Sequence, residues 1–319
     1  MKGEGKGGGD VLLTPNIQSM PALSTQIHDL LEELEAGAKE ATLSGLFGAS
    51  KAFVLAELAR QSSRPILILS PTEQGAEALQ AELRFFLNAR RQTPVGLLPK
   101  REEEIEVKSQ RISCLKGLLG GDLSLVVASA AAAMERLIPK EALSLSVFSL
   151  YPQRIIAVEA LLKALAEGGY RNVHQVAERG EYSIRGGILD FFPPHPSPPP
   201  LKGEGWEGVF PVRVEFFGDE IASLREFDPE SQRSIRSIEK VALLPVSEVL
   251  LTKETCDLAH KRLAFAALAQ GMEVPPPILE ALRQRLPFPG MEAYLPYFYQ
   301  KTGTRIAYLP QGALLVLDE

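Results

Sequence analysis

In the first half of the chain, some segments have hydrophobic residues at helical spacing and others are short strand-like runs. Ile27, Leu30, Leu31 and Leu34 recur at the spacing of one helix face, and helical and strand-like runs then follow in turn. Helices that alternate with strands are typical of an α/β domain with a parallel sheet. The pattern predicts helices over 52–58, 73–87 and 112–119, and strands over 41–47, 65–69, 95–98 and 123–128.

The pattern changes near Tyr151. One helical run, 155–166, leads into short strands separated by turn residues such as Gly186-Gly187 and Phe217-Gly218-Asp219, which predicts an α+β unit with an antiparallel meander. Helical runs return after Pro245, over 253–269, 277–286 and 291–300.

The last residues indicate one more strand. Residues 313–317 are uniformly apolar and precede two acids, a pattern typical of a strand buried on both faces of a parallel sheet. We expect this strand to lie in the first sheet. The α+β unit is therefore predicted to be inserted within a discontinuous domain.

These patterns divide the chain into four predicted parts. Residues 1–20 are Gly-rich and are expected to form a flexible tail, because burial offers little to offset the entropy of ordering them. Residues 21–151 form domain 1a, an α/β unit; 152–246 form domain 2, the inserted α+β unit; 247–319 form domain 1b, which completes the first domain. Within domain 2 the Pro- and Gly-rich stretch 193–211 is expected to be a mobile loop insertion.

Composition narrows the class of protein. The formal charge is −6 at pH 7, so the overall field does not favour a polyanion such as DNA. Cys114 and Cys256 lie in no spacing typical of zinc or of a disulfide framework, and we expect no metal. No apolar run reaches the ~18 residues of a membrane span and no signal peptide is evident, which predicts a cytoplasmic protein. The charged stretch 100–111 is expected to be a solvated loop and helix start.

A glycine-rich segment resembles a phosphate-binding (Walker A) loop. It reads GLFGASKA from Gly45 to Ala52, after a predicted strand and before a predicted helix. Ser50 stands where the last glycine belongs, and Ala52 stands where a Ser or Thr hydroxyl would hold Mg²⁺. The predicted loop is therefore degenerate.

Three interpretations of this loop stay open. Gly45 and Gly48 form only a tight strand-to-helix turn, Lys51 still attracts a nucleotide, or the site hydrolyses one. Asp318 and Glu319 follow the last predicted strand and resemble the acidic pair of a Walker B motif.

Strand periodicity also predicts a contact surface. Over 212–217 alternate residues place Arg213, Glu215 and Phe217 on the face opposite Val212 and Val214. Arg185 is predicted at the start of the preceding strand, where hairpin pairing would bring it close to Phe217. Arginine and aromatic residues are enriched at binding hot spots. The alternative is an Arg213 that pairs with Glu215 and a Phe217 tucked under the turn.

The residues RGGILDFFPP, VRVEFFGDEIASLREFDPESQRS and LVVASAAAAMERLIP resemble the N-terminal part of bacterial transcription-repair coupling factors. A similar module occurs in the excinuclease protein UvrB. The resemblance implies a helicase-like (RecA-like) parallel-sheet domain interrupted by a domain that binds a second excinuclease protein, UvrA. It also assigns the UvrA contacts to Arg185, Arg213 and Phe217.

The resemblance implies a non-catalytic docking module of nucleotide excision repair, with UvrA as its partner and no cofactor of its own. The resemblance also implies that ATP and Mg²⁺ serve motor domains in the full-length family, and that RNA polymerase and DNA are reached through domains expected to be missing from this chain. The alternative is a fragment of a UvrB-like or other ATP-dependent DNA helicase with residual nucleotide and DNA binding.

Overall fold

The computed structural model describes residues 12–13, 20–88, 93–194 and 210–318. The predicted tail 1–20 and loop insertion 193–211 lie largely outside the described residues, as does Glu319. The first part of the chain alternates strands and helices: β1 (Leu12–Leu13), α1 (Met20–Glu35), β2 (Thr42–Leu43), α2 (Ser50–Gln61), β3 (Ile66–Ser70), α3 (Glu73–Asn88), β4 (Val95–Leu98), α4 (Ile105–Gly120), β5 (Leu125–Ser129), α5 (Ala130–Met134) and α6 (Lys140–Leu145).

The middle part is built mainly of strands. Its elements are β6 (Phe148–Leu150), α7 (Val158–Glu167), β7 (Arg171–Asn172), β8 (Glu181–Arg185), β9 (Ile188–Phe191), β10 (Val212–Phe217), β11 (Glu220–Phe227), β12 (Ser234–Ser237) and β13 (Val241–Leu243). The last part is helical until its end: α8 (Lys253–Ala269), α9 (Pro276–Gln284), a 3-10 turn (Met291–Tyr294), α10 (Leu295–Phe298), α11 (Arg305–Tyr308) and β14 (Leu314–Leu317).

A four-stranded parallel sheet of order β14-β3-β5-β4 is the centre of the first domain. Every residue of β4 and β5 is buried, because helices cover both faces of the sheet. One hydrophobic cluster includes α2 and α3, and another includes α4 and α8. The predicted α/β class with a parallel sheet is confirmed.

The last strand, β14, joins this sheet as predicted, but its environment differs from the prediction. It pairs in parallel with β3 and lies at the edge of the sheet. Leu315 and Leu317 are 54% and 62% exposed, so the prediction of burial on both faces was wrong for this strand. A uniformly apolar run does not reveal edge position, because that depends on which strands lie beside it.

The inserted unit contains a six-stranded, mainly antiparallel sheet of order β12-β11-β10-β9-β8-β7. One face packs on α7 through a cluster that includes Leu161, Leu165, Leu189 and Val214. The strands that flank this unit, β6 and β13, pair with each other in a separate antiparallel ladder. The opposite face of the six-stranded sheet is left for contacts outside the core.

A buried ionic cluster connects α4 to the chain that leaves the inserted unit. Arg111 is 1% exposed; its Nε donates to Oε1 of Glu248 over 2.7 Å, and its Nη1 donates to Glu135 and to the Pro99 carbonyl. Glu248 also accepts from the Ile138 backbone N–H over 3.1 Å. The prediction that 100–111 is a solvated stretch was therefore wrong for Arg111.

Charge lowers the pKa of Glu248 despite its burial. Burial alone opposes ionisation of this carboxyl, but the guanidinium groups of Arg111 and Arg101, with hydrogen bonds from Arg111 and Ile138, outweigh that effect. The carboxylates of Glu248 and Glu135 raise the pKa of Arg111 against the effect of its burial. Arg111 and Glu248 are therefore both charged in the folded chain.

Candidate partner-binding site

Strand pairing places the predicted contact residues on the outer face of the six-stranded sheet. Residues directly opposite each other on paired strands share a face, so the ladders define rows across it. One row is Ser183, Asp190, Arg213, Arg225 and Ser237; the next is Arg185, Ile188, Glu215 and Ser223; the last, at the hairpin end, includes Phe217 and Glu220. We call this surface the outer face.

Asp190 organises the two arginines of this face. Its side chain is 1% exposed, and it accepts from Arg213 Nε at Oδ1 over 2.8 Å and from Arg213 Nη2 at Oδ2 over 2.9 Å. Arg185 Nη2 donates to the same Oδ2 over 3.1 Å. One buried carboxylate therefore sets the position of both guanidinium groups, and its hydrogen bond is the main reason that the pKa of Arg213 is raised.

The two arginines differ in exposure. The Arg213 side chain is 17% exposed, lies 4.7 Å from the centre of the Phe227 ring and donates through Nη1 to the Gln232 carbonyl. The Arg185 side chain is 49% exposed and bonds to Asp190 through a single nitrogen, Nη2. Arg213 thus bonds to Asp190 and not to Glu215, and Arg185 presents more of its guanidinium group to solvent.

Arg185 does not occupy the predicted place in its strand. It is the last residue of β8, not the first, and β9 lies between β8 and β10. The turn Gly186-Gly187 between β8 and β9 is short enough that Arg185 pairs with Ile188, which in turn pairs with Glu215. Arg185 therefore lies on the outer face two strands from Phe217.

Phe217 is 83% exposed at the end of β10, so it is not tucked under the turn. It pairs with Glu220 across a two-residue turn in which Gly218 has φ +61°, a conformation that costs other residues about 1–2 kcal/mol. A bulge between Glu215 and Phe216 shifts the register just before it. The turn and the bulge fix where the ring stands.

Glu215 and Arg225, also on the outer face, pair with each other. Glu215 accepts from Ser223 Oγ over 2.7 Å and lies 3.6 Å from Arg225 Nη1. Val212 and Val214, on the other side of β10, are buried, so the alternation inferred for this strand is observed. Sequence reasoning missed Asp190, and its signal is a lone acid inside the apolar run ILDFF.

The phosphate-loop segment lies between β2 and α2, but β2 pairs with β1 and not with the parallel sheet. The Ser50 hydroxyl accepts from the Phe47 N–H over 2.8 Å and donates to the Phe47 carbonyl. The N–H groups of Ser50 and Lys51 also point to loop carbonyls, at 3.2 and 3.4 Å. The hydroxyl and both N–H groups therefore bond to the turn itself.

The structure brings Lys51 and Asp318 together. The Lys51 ammonium pairs with the Asp318 carboxylate, and Gly45 and Gly48 have φ of +77° and +54° in the turn before α2. Ala52 is fully buried and presents a methyl group at the position where a working loop has a metal-binding hydroxyl.

Among the residues described, no group of three or more His, Cys, Asp or Glu could hold a metal. In the same described residues, none of the helices has the length and hydrophobicity that crossing a membrane requires.

Comparisons with known proteins agree with this architecture. Residues 148–249 match the family model described as UvrB interaction domain. The fold and this match together indicate a UvrB-like module.

The relatives identify the larger proteins in which such a module occurs. The chain is 28% identical over 326 residues to the transcription-repair-coupling factor of Bacillus subtilis, covering 95% of this chain and 26% of that protein. The corresponding protein of Myxococcus xanthus is 32% identical over 311 residues, covering 91% of this chain and 25% of its own length. UvrABC system protein B of Thermosipho africanus is 28% identical over 253 residues, 74% of this chain and 36% of that protein.

The chain thus spans about a quarter of the length of the coupling factors it matches. It is a UvrB-like module of the kind found in transcription-repair coupling factors, as the sequence resemblance implied.

Proposed function

We propose that this chain is a docking module that recruits UvrA, and that it does so through the outer face of its UvrB interaction domain. The observation that carries the proposal is the grouping of Arg185, Arg213 and Phe217 on one face, with both arginines positioned by buried Asp190. In a longer coupling factor this would bring excision repair to lesions where RNA polymerase has stalled.

The chemistry of the face fits a protein partner. The half-exposed Arg185 presents guanidinium donors to a carboxylate on UvrA, and a planar guanidinium binds carboxylates with directed hydrogen bonds. Phe217 offers a large apolar surface that gains when a pocket removes it from water. Because Asp190 holds both arginines in place, less side-chain entropy is lost on binding.

We further propose that the phosphate-loop segment is not catalytic in this chain. Ala52 supplies no metal ligand, Ser50 fills the turn with its own hydrogen bonds, and Lys51 is paired with Asp318. Hydrolysis needs a cation to neutralise charge in phosphoryl transfer, and the loop lacks the hydroxyl that would hold one. ATP-driven movement, DNA contacts and polymerase contacts are then properties of other parts of longer relatives.

A titration of the chain with purified UvrA tests the docking proposal. Arg185→Ala, Arg213→Ala and Phe217→Ala are each expected to weaken binding about tenfold or more, as hot-spot truncations do. Arg236→Ala is the matched control, since Arg236 is 64% exposed on the edge strand of the same sheet, in a row that faces away from the outer face. Unchanged affinity in all three variants would reject the proposal.

A fluorescent ATP analogue tests the helicase-like alternative. The docking proposal expects no saturable binding to the chain at micromolar concentrations with Mg²⁺ present. Saturable binding that is lost in Lys51→Ala would favour the alternative.

A further inference from the structure

The segment before α7 presents a second exposed apolar side chain beside Phe217. Ile155 is 77% exposed and forms an isolated antiparallel bridge with Glu220, which itself pairs with Phe217 on β10. Residues that face each other across such ladders point to the same side. Phe217, Glu220 and Ile155 therefore form one row on the outer face, with the two apolar residues about 10 Å apart across two strand spacings.

Ile155 is held rigidly although it is exposed. The Ile156 N–H donates to the Asp219 carbonyl over 2.8 Å, and the Ile221 N–H donates to the Arg154 carbonyl over 2.9 Å. The Gln153 N–H also donates to the Ile221 carbonyl over 2.8 Å. These bonds attach the segment to the beginning of β11, so that Ile156 packs against the core and Ile155 points outward.

The backbone of this segment is strained. Gln153 has φ +69°, which is unfavourable for a residue with a side chain and persists where the surrounding structure enforces it. The Arg154 guanidinium lies 5.8 Å from the centre of the exposed Tyr151 ring and bonds to the Ser149 carbonyl. The Ile155 side chain therefore contributes nothing to the stability of the fold, although the strained segment that carries it is firmly hydrogen-bonded.

We propose that Ile155 and Phe217 together form the apolar anchor of the outer face and enter one apolar concavity on UvrA. The inference rests on the proposed function and deepens it, because it adds a contact residue outside the strands that the resemblance identified. Exposed apolar groups that are rimmed by charged ones mark interaction sites, and here Glu220 lies between the two side chains while Arg185 and Glu215 lie in the next row. Both positions lie within the UvrB interaction domain match.

The test is a titration of the full chain with purified UvrA, using Ile155→Ala, Phe217→Ala and the double variant. Truncating an isoleucine that becomes buried is expected to weaken binding about tenfold or more. Ile235→Ala is the matched control, because Ile235 is 48% exposed on β12, beside the opposite end of β11, about 20 Å along the strand from Glu220. It should leave the affinity within about twofold of the parent chain.

Shared use of one concavity predicts coupling. The double variant is expected to lose less affinity than the product of the two single losses, because residues that share a partner pocket are not independent. Thermal unfolding should be unchanged in Ile155→Ala, since the side chain is mostly in water.

The outcomes separate this inference from the docking proposal. If Arg185→Ala and Phe217→Ala weaken binding while Ile155→Ala does not, the role of Ile155 is overturned and the docking proposal stands. Strictly multiplicative losses would overturn the shared concavity. A parent chain that does not bind UvrA would overturn both.

Discussion

Replacing Glu248 with glutamine is expected to destabilise the whole chain, because this carboxylate is the anion of the buried cluster. The side chain is 4% exposed and faces Arg111, which is 1% exposed. Glutamine has the same shape but no charge, and its NH₂ group would face the donors that now bond the carboxylate, Arg111, Arg101 and the Ile138 N–H. The Arg111 guanidinium would then keep Glu135 alone as its anionic partner, at 2.8 Å.

The contacts set the magnitude. Removing one partner from a buried ion pair costs about 3–5 kcal/mol, because the remaining charge is left desolvated. Glu135 is 18% exposed and still bonds Arg111, and glutamine keeps one carbonyl acceptor, so the lower end applies. We expect a loss of about 3 kcal/mol in the free energy of unfolding, or about 4–5 °C in Tm for a chain of this length.

The pH dependence gives a second, independent signature. The pKa of Glu248 is lowered below its usual 4.5 in the folded chain, so its contribution to stability is fully present above pH 4.5 and is lost as the pH falls through the folded-state pKa. The difference between parent and Glu248→Gln should therefore be full at pH 7 and shrink below pH 4.5.

Denaturant unfolding followed by circular dichroism at pH 7 and at pH 4 measures both effects. Glu239→Gln is the matched control, because Glu239 is an exposed glutamate of the inserted unit, which ends just before Glu248. A Glu248→Gln chain that unfolds within about 1 kcal/mol of the parent at pH 7 would refute the argument, since it would mean that the charge is not needed to compensate Arg111.

Three other predictions concern the core, a turn and a thiol. Phe191→Ala should lower the free energy of unfolding by about 3–5 kcal/mol, because Phe191 is fully buried against Tyr170; a loss below 1 kcal/mol in denaturant unfolding would contradict its role in the core. Gly218→Ala should cost about 1 kcal/mol and Gly218→Asn less, as measured by thermal unfolding, because φ is +61° there; equal stability of all three chains would show that the turn relaxes. Burial is the main cause that raises the pKa of the Cys256 thiol to about 11, so iodoacetamide at pH 8 should modify it far more slowly in the folded chain than in urea; equal rates would contradict this burial.

The sequence predicted regular elements best where local signals agreed. The helix at 253–269 is observed as Lys253–Ala269, where Thr252 caps the first turn by accepting from the Thr255 N–H. The strand at 95–98 is also observed at those bounds, because four apolar residues lie between polar segments. Helical period and capping chemistry are encoded within a few residues.

Features set by distant residues could not be predicted in this way. Helix α4 begins at Ile105, seven residues before the predicted 112. The prediction missed the first turns because Ser109 and Arg111 are polar, and only the tertiary structure shows that they are buried. Likewise Asp190 appears in the sequence as one acid among apolar residues, and only strand pairing shows that Arg185 and Arg213 meet on it. Strand periodicity predicted which side of β10 faces outward, but it could not predict which side chains pair with one another on that side.

The ladder between β6 and β13 joins the two points where the chain enters and leaves the inserted unit. The inserted unit enters by β6 and leaves by β13, and the two run antiparallel with Leu150 opposite Val241 and Phe148 opposite Leu243. Beyond β13 the Val246 N–H bonds the Gly168 carbonyl, and the Leu251 N–H bonds the Glu167 carbonyl. Force applied to the outer face is therefore shared between the hydrogen bonds of this ladder and the two covalent connections to the first domain.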